Sequence, residues 1–365
     1  MTLRPLHALL AAALLGAFVA GAARGADPAT PRTSLIRPQS VFRTDRISML
    51  AANGSRAAVV TRRKHGCGEV LVWTAPGRRV SRFGLGELGC NFDGVGELAL
   101  GGGQVAWIEE GGGNDLELAL EAARLPRGRT KQLDFDVNGD RAGGDPTGGW
   151  IGNLVGAGSL LAYNRWTVLC DQPPGYECGD GDPHLRLTQE QLVELANGRP
   201  KTAGAGHGVY AVAAAGGGRV AVTRPDGVAT VTATGAQAAF VPASGNTVRA
   251  VGLSGAALGL EGRSTLDLYD PATGAPQKSI QLRSAASLQL VGLTQKYALL
   301  RRGARVALVR LSDGSVVTLV PARAPSSFVG ARLTEAGLFY AYDLRAGHRP
   351  GRVAFVPARA LATAF

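Results

Sequence analysis

Aromatic residues make up only 6% of this 365-residue chain, and it has just five histidines, four cysteines and two methionines. The shortage of histidine narrows the chemistry. His65, His184, His207 and His348 include no pair at a metal-ligand spacing such as His-x-x-x-His. There is no Gly-x-Ser-x-Gly elbow, so the serine-hydrolase signature is absent. Gly101-Gly-Gly103 and Gly216-Gly-Gly218 lack the lysine and helix that a phosphate loop needs. Glu109 and Glu110 are adjacent on a strand pattern and point to opposite faces, so they are no acid–base pair. Beside Asp182, His184 is the best single histidine candidate, set against an ordinary surface loop histidine.

Long apolar runs are also missing, except at the start. Arg4 precedes the apolar stretch Ala8 to Ala20, and Ala20-Gly21-Ala22 fits the small-x-small rule for signal peptidase. The stretch falls short of the roughly 20 residues of a membrane helix. Residues 1–22 are therefore expected to be a signal peptide, with an uncleaved anchor as the alternative. A leader over 23–42 and one domain over 43–365 should follow. The mature chain is expected to be secreted or extracytoplasmic, without a membrane span.

What the chain has in abundance is glycine, 52 residues of it, placed with a period. A glycine-centred turn followed by a short apolar run occurs at Gly54, Gly103, Gly158, Gly218 and Gly255, in degenerate form at Gln295, and again at Gly337. The steps are 49, 55, 60, 37, 40 and 42 residues, the length of a four-stranded repeat. The spacing predicts an all-β chain, a β-propeller of seven blades with about four antiparallel strands each; six or eight blades are the alternatives. One such sheet has two apolar faces and cannot bury both alone, so repeats must stack. The first half of Asp115 to Leu125 alternates apolar and charged residues with period two, so the segment reads as a strand despite its helix-forming composition. The first three repeats are longer, with insertions expected as loops at 111–114, 137–149 and 170–184. The last repeat offers three strands, and Leu35 to Arg43 is a candidate for its missing outer one.

Leu268-Tyr-Asp-Pro-Ala-Thr-Gly274 resembles the Asp-x-x-Thr-Gly turn of quinoprotein-type repeats. With the repeat period, it makes nearly the whole mature chain similar to bacterial exported propellers of the broad TolB-like, WD40-like and quinoprotein-like group. The tryptophan those quinoprotein repeats carry a few residues later is absent after Ala275, which argues against a quinone-dependent dehydrogenase. There is no series of Trp-Asp dipeptides as in a standard WD40 protein.

The most specific local pattern is Asp134-Phe-Asp136-Val-Asn138-Gly139-Asp140, with Asp145 eleven residues after Asp134. Alternating oxygen ligands and a glycine that permits a sharp turn suit calcium. Asp134, Asp136, Asn138, Asp140 and Asp145 are thus candidate Ca2+ ligands. The competing reading is a strand that ends in a solvated acidic turn. Cys67, Cys90, Cys170 and Cys178 form an even set in a chain expected to be exported, which suggests disulfides. Of three pairings, Cys67–Cys90 and Cys170–Cys178 each close a local loop and are favoured. A metal site of Cys67, Cys90 and His65 fits no standard zinc spacing. Trp73, Trp107, Trp150 and Trp166 are expected mainly to fill the core.

The net charge is +11, unevenly spread. Residues 43–82 hold nine Lys/Arg against two acids and residues 283–365 hold twelve against three, whereas residues 86–145 hold five against twelve. Ring closure would make the two basic segments neighbours and create a field for anionic partners. The alternative is plain arginine-rich composition. These features predict a monomeric, non-enzymatic module that binds a protein or an anionic envelope polymer through its loop face. Nucleic acid is not an expected partner. The alternative is a calcium-dependent hydrolase or lyase acting on a glycan or lactone.

Overall fold

The computed structural model describes residues 32–62, 67–91, 94–112, 115–140, 147–171, 184–196, 199–206, 211–243, 248–282, 285–321, 327–344 and 350–365. The expected signal segment lies outside these residues.

Short apolar runs separated by glycine turns fold here as strands. Gly54 and Gly158 turn with φ of +56°, a left-handed conformation that glycine adopts without steric cost. Sheet I comprises Arg46–Asn53, Arg56–Arg62, Glu69–Thr74 and Val80–Gly84. Sheet II comprises Gly94–Gly101, Gln104–Gly111, Asp115–Arg124 and Lys131–Asp140, and sheet III Gly148–Ala157, Leu160–Cys170, Leu185–Ala196 and Arg199–Gly206. One residue pair, Asn138 with Gly148, joins the ladders of II and III. Sheet IV spans 211–242, sheet V 250–281 and sheet VI 289–321, each a four-stranded antiparallel meander. Sheet VII takes Ser327–Thr334, Gly337–Asp343 and Gly351–Pro357 from the C-terminal end of the chain. Its outer strand, Ser40–Thr44, comes from the N-terminal end. Arg32–Ile36 adds in parallel to the outer strand of sheet VI.

The first strand of each sheet packs against the first strand of the next, and that of VII packs against that of I, so seven inner strands form a closed ring. Apolar clusters fill the spaces between successive sheets. Between I and II, Val60, Val72 and Phe83 meet Leu100, Val105 and Trp107. Between VII and I, Phe339, Ala341 and Phe355 meet Val59, Leu71 and Trp73. Each fully buried side chain of this size contributes about 1.5–3 kcal/mol of transfer free energy.

A polar device recurs at the same seams. Six of the seven inner strands carry a β-bulge. A bulge frees backbone groups from the ladder, and such groups need a partner when buried. In five seams the preceding sheet supplies it. Glu97 accepts the N–H groups of Asn153 and Leu154. Asn164 Oδ1 accepts Val212 N–H at 2.7 Å, Glu261 Oε2 accepts Leu290 N–H at 2.5 Å, and Asp343 Oδ1 accepts Ile47 N–H at 3.2 Å. Arg301 Nη2 donates to the Val329 carbonyl at 2.9 Å. Asn153 stands at a bulge with φ of +56° and donates to Asn164 at 3.1 Å, so one polar chain runs from sheet II to sheet IV. Asn164→Ala would leave Val212 N–H buried without its acceptor. The expected cost is about 1–3 kcal/mol in chemical denaturation; a variant as stable as the parent would show that the latch carries no energy.

Candidate functional site

An acidic cavity lies on sheet II, a cleft of about 410 Å³ lined by Glu87, Glu109, Glu117, Glu121, Gln132 and Phe135, among others. The ladder explains the grouping. Trp107 lies opposite Glu121, and Glu109 opposite Ala119, so alternate residues of two neighbouring strands share one face. Gln132 and Phe135 join from the outer strand, opposite Glu121 and Ala119. Glu87 belongs to the short helix Glu87–Asn91, in the connection between sheets I and II. The disulfide Cys67–Cys90, Cα atoms 4.6 Å apart, ties that helix to sheet I.

Glu109 is the anchor of this end. Its carboxylate accepts Gly86 N–H at 2.6 Å, Gly89 N–H at 2.9 Å and Trp107 Nε1–H at 2.8 Å. The approach is close enough to require glycine: a β-carbon at Gly89 would lie 2.8 Å from Glu109 Cδ. Glu121 is different. It is 7% exposed, lines the cleft, and no hydrogen bond or ion pair satisfies its carboxyl. Burial, and then the charge of Glu109, push its pKa up to about 7. Phe135, 41% exposed, sits at the rim. An exposed ring beside carboxyl groups that no cation neutralises suits a positively charged group.

The candidate calcium ligands occupy the same outer strand. Residues 131–138 are paired in the ladder with 116–122, so Asp134 to Asn138 form strand where the motif spacing implies a turn, and the expected insertion at 137–149 starts later, after Asp140. Asp134 and Asp136 project toward sheet III. Arg165 lies between them, Nη1 at 2.9 Å from Asp134 and Nε at 3.1 Å from Asp136. Tyr163 donates to Asp134 at 2.7 Å, and burial together with that bond pushes its phenol pKa up. A β-carbon at Gly149 would lie 1.7 Å from Asp136 Oδ1, so glycine there makes room for the bridge. Asn138 is buried, while Asp145 and the Asp140 side chain lie outside the described residues. Among the described residues no group of three or more His, Cys, Asp or Glu is arranged to hold a metal ion.

Cys170 is disulfide-bonded, and its expected partner Cys178 lies outside the described residues, as does Asp182 beside the exposed His184. Trp73 and Trp107 are buried in the core; Trp150 and Trp166, half-buried, stack across sheet III with ring centres 5.9 Å apart. The basic segments fall on sheets I, VI and VII, which are consecutive around the ring. Arg46, Arg56, Arg62, Arg78, Arg79, Arg302, Arg305 and Arg359 are exposed there.

Comparison with known proteins decides the architecture. The chain is similar to the acylaminoacyl peptidase of Pyrococcus horikoshii, with 12% identity, a TM-score of 0.54, and coverage of 86% of this chain and 51% of that one. It is also similar to the β-propeller domain of the trilobed protease of Pyrococcus furiosus, with 10% identity, a TM-score of 0.51, and coverage of 85% and 95%. The fold is a β-propeller. Identities this low speak for the fold alone, and the chain spans about half the length of the peptidase. No protein-family model matches the sequence, and no curated protein does. The sheets of this propeller are its blades, and the Glu109–Glu121 cleft sits on blade II, where the connection from blade I crosses. Adjacent Glu109 and Glu110 indeed part to opposite faces. The partner the sequence did not offer for Glu109 is Glu121, twelve residues away and diagonal across one strand pair.

Proposed function

We propose that this chain is a seven-bladed, non-enzymatic binding module of the extracytoplasmic space, and that the blade II cleft seats a cationic side chain, lysine or arginine, of a partner protein. The observation that carries the reading is Glu121, a buried carboxyl aimed into a cleft with no partner of its own. A carboxyl largely withdrawn from water costs stability when ionised unless something charged completes it. A cationic guest does so, with Phe135 at its flank. A binding role is favoured over hydrolysis because both oxygens of Glu109 already accept N–H donors, so it cannot act with Glu121 as a two-carboxylate pair. The disulfide Cys67–Cys90 fits an oxidising compartment. Among the described residues no helix is long and apolar enough to cross a membrane.

The test is calorimetric titration with trilysine peptide at several pH values. The guest binds the ionised carboxyl, and the Glu121 pKa lies at about 7. Affinity should therefore be about tenfold higher at pH 8 than at pH 6. Glu121→Gln should abolish that pH dependence. Binding that ignores both pH and the substitution, or no binding, overturns the reading.

A further inference from the structure

Two arginines, Arg301 and Arg332, share the seam between blades VI and VII. Arg301 lies one residue before the end of the second strand of blade VI, Tyr297–Arg302, and reaches across to the inner strand of blade VII. Its Nη2 donates to the Val329 carbonyl at 2.9 Å, its Nε to the Gly303 carbonyl at 3.0 Å, and its Cζ lies 5.3 Å from the centre of the Phe328 ring. Nη1 stands over Gly330, where a β-carbon would be 3.5 Å away. Arg332 is two residues further on the same strand, so it shares the face of Gly330. Its one hydrogen bond goes to the Ala331 carbonyl at 3.0 Å.

Among the described residues neither arginine has a carboxylate partner. Elsewhere in this ring a half-buried arginine meets carboxylates: Arg165 meets Asp134 and Asp136, and Arg249 meets Glu261. Among the described residues Arg301 and Arg332 meet only carbonyls and a ring, and their remaining N–H groups are open to solvent or a ligand. Both are partly withdrawn from water, and desolvation lowers the pKa of each; for Arg332 the charge of Arg301 lowers it further. Two like charges held together at a seam are a standing cost unless an anion lies between them. A guanidinium is also the group best shaped to grip an oxyanion through paired N–H donors.

We infer that Arg301 and Arg332 form an anion-binding site at the VI–VII seam that takes the terminal oxyanion of a ligand, a phosphate or a carboxylate group. The site lies within the basic sector of blades VI, VII and I and is separate from the cleft on blade II, so it stands whether or not that cleft binds a cation. Arg301 supplies Nη1 over Gly330, the one residue of the face that adds no side chain. Arg332 supplies the facing fork.

The test uses the whole protein with inorganic phosphate and with acetate, each against sodium chloride of equal ionic strength. Phosphate or acetate should raise the melting temperature of the parent beyond the chloride control and more than it raises that of Arg332→Met, and the anion with the larger parent-to-variant difference identifies the ligand group. Arg332→Met should weaken anion binding about tenfold or more, as loss of a charged hydrogen-bonding fork implies. In anion-free buffer the same variant should melt no lower than the parent, because a repelling charge has gone. Arg332→Lys should keep part of the binding. A parent that responds to neither anion beyond chloride overturns the assignment. So does an Arg332→Met variant that retains the full response, or one that melts lower in anion-free buffer, which would make Arg332 a structural residue.

Discussion

Replacing Glu109 with alanine should cost about 3–5 kcal/mol in chemical denaturation, because three donors lose their acceptor at once. Glu109 is 1% exposed, and Trp107, whose Nε1–H it receives, is fully buried. The N–H groups of Gly86 and Gly89 have no strand to return to, since they lie in the connection between blades I and II. An unsatisfied buried donor costs about 1–3 kcal/mol, and the removed carboxylate also leaves a void. Glu109→Gln keeps an acceptor oxygen and should lose about half as much. The substitution has a second consequence. The charge of Glu109 helps to raise the Glu121 pKa, so Glu121 should ionise at lower pH in either variant. An alanine variant within about 1 kcal/mol of the parent would show that the connection holds its shape without Glu109.

Several parts of this architecture can be read along the sequence, for a plain reason. Repeats of glycine turn and apolar run are local, and local patterns fix strands. The turns at Gly54, Gly103, Gly158, Gly218, Gly255 and Gln295 each join the first and second strands of a sheet, as the glycine period implies. Asp115–Arg124 is a strand, as the alternation in its first half implies, whatever the helix propensity of its alanines, leucines and glutamates. The site was not legible in the same way. Glu109 and Glu121 belong to different strands, and only the register of Trp107 against Glu121 brings them onto one face. A one-residue slip would send them to opposite faces. The acidic run at Asp134 to Asp140 shows the converse. Its spacing fits a calcium loop, yet spacing cannot show that Arg165, about thirty residues later in sequence, reaches both of the first two carboxylates from the next blade. The seam latches are also silent in the sequence. Glu97, Asn164, Glu261, Arg301 and Asp343 share no residue type, only a position facing a bulge in the following blade.

Glu121→Gln should make the protein more stable than its parent at pH 8, by about 2–3 kcal/mol, and equal to it near pH 4. The sign follows from the direction of the shift. Burial and the charge of Glu109 raise the Glu121 carboxyl from 4.5 to about 7 in the folded chain. Between those values the folded chain holds a proton that the unfolded chain has already released. Stability is therefore fully present below about pH 4.5 and declines as pH rises through about 7. Glutamine has the same shape and no charge to bury, so it removes the decline. In a chain of this length the gain corresponds to a rise of roughly 3–4 °C in melting temperature at pH 8. A saturating cationic ligand should close most of that gap by stabilising the ionised parent and leaving the variant unchanged. If the two proteins instead lose stability in parallel between pH 5 and pH 8, Glu121 is already charged and solvated in the folded state, and the cleft is not the dry acidic pocket that a cationic guest requires.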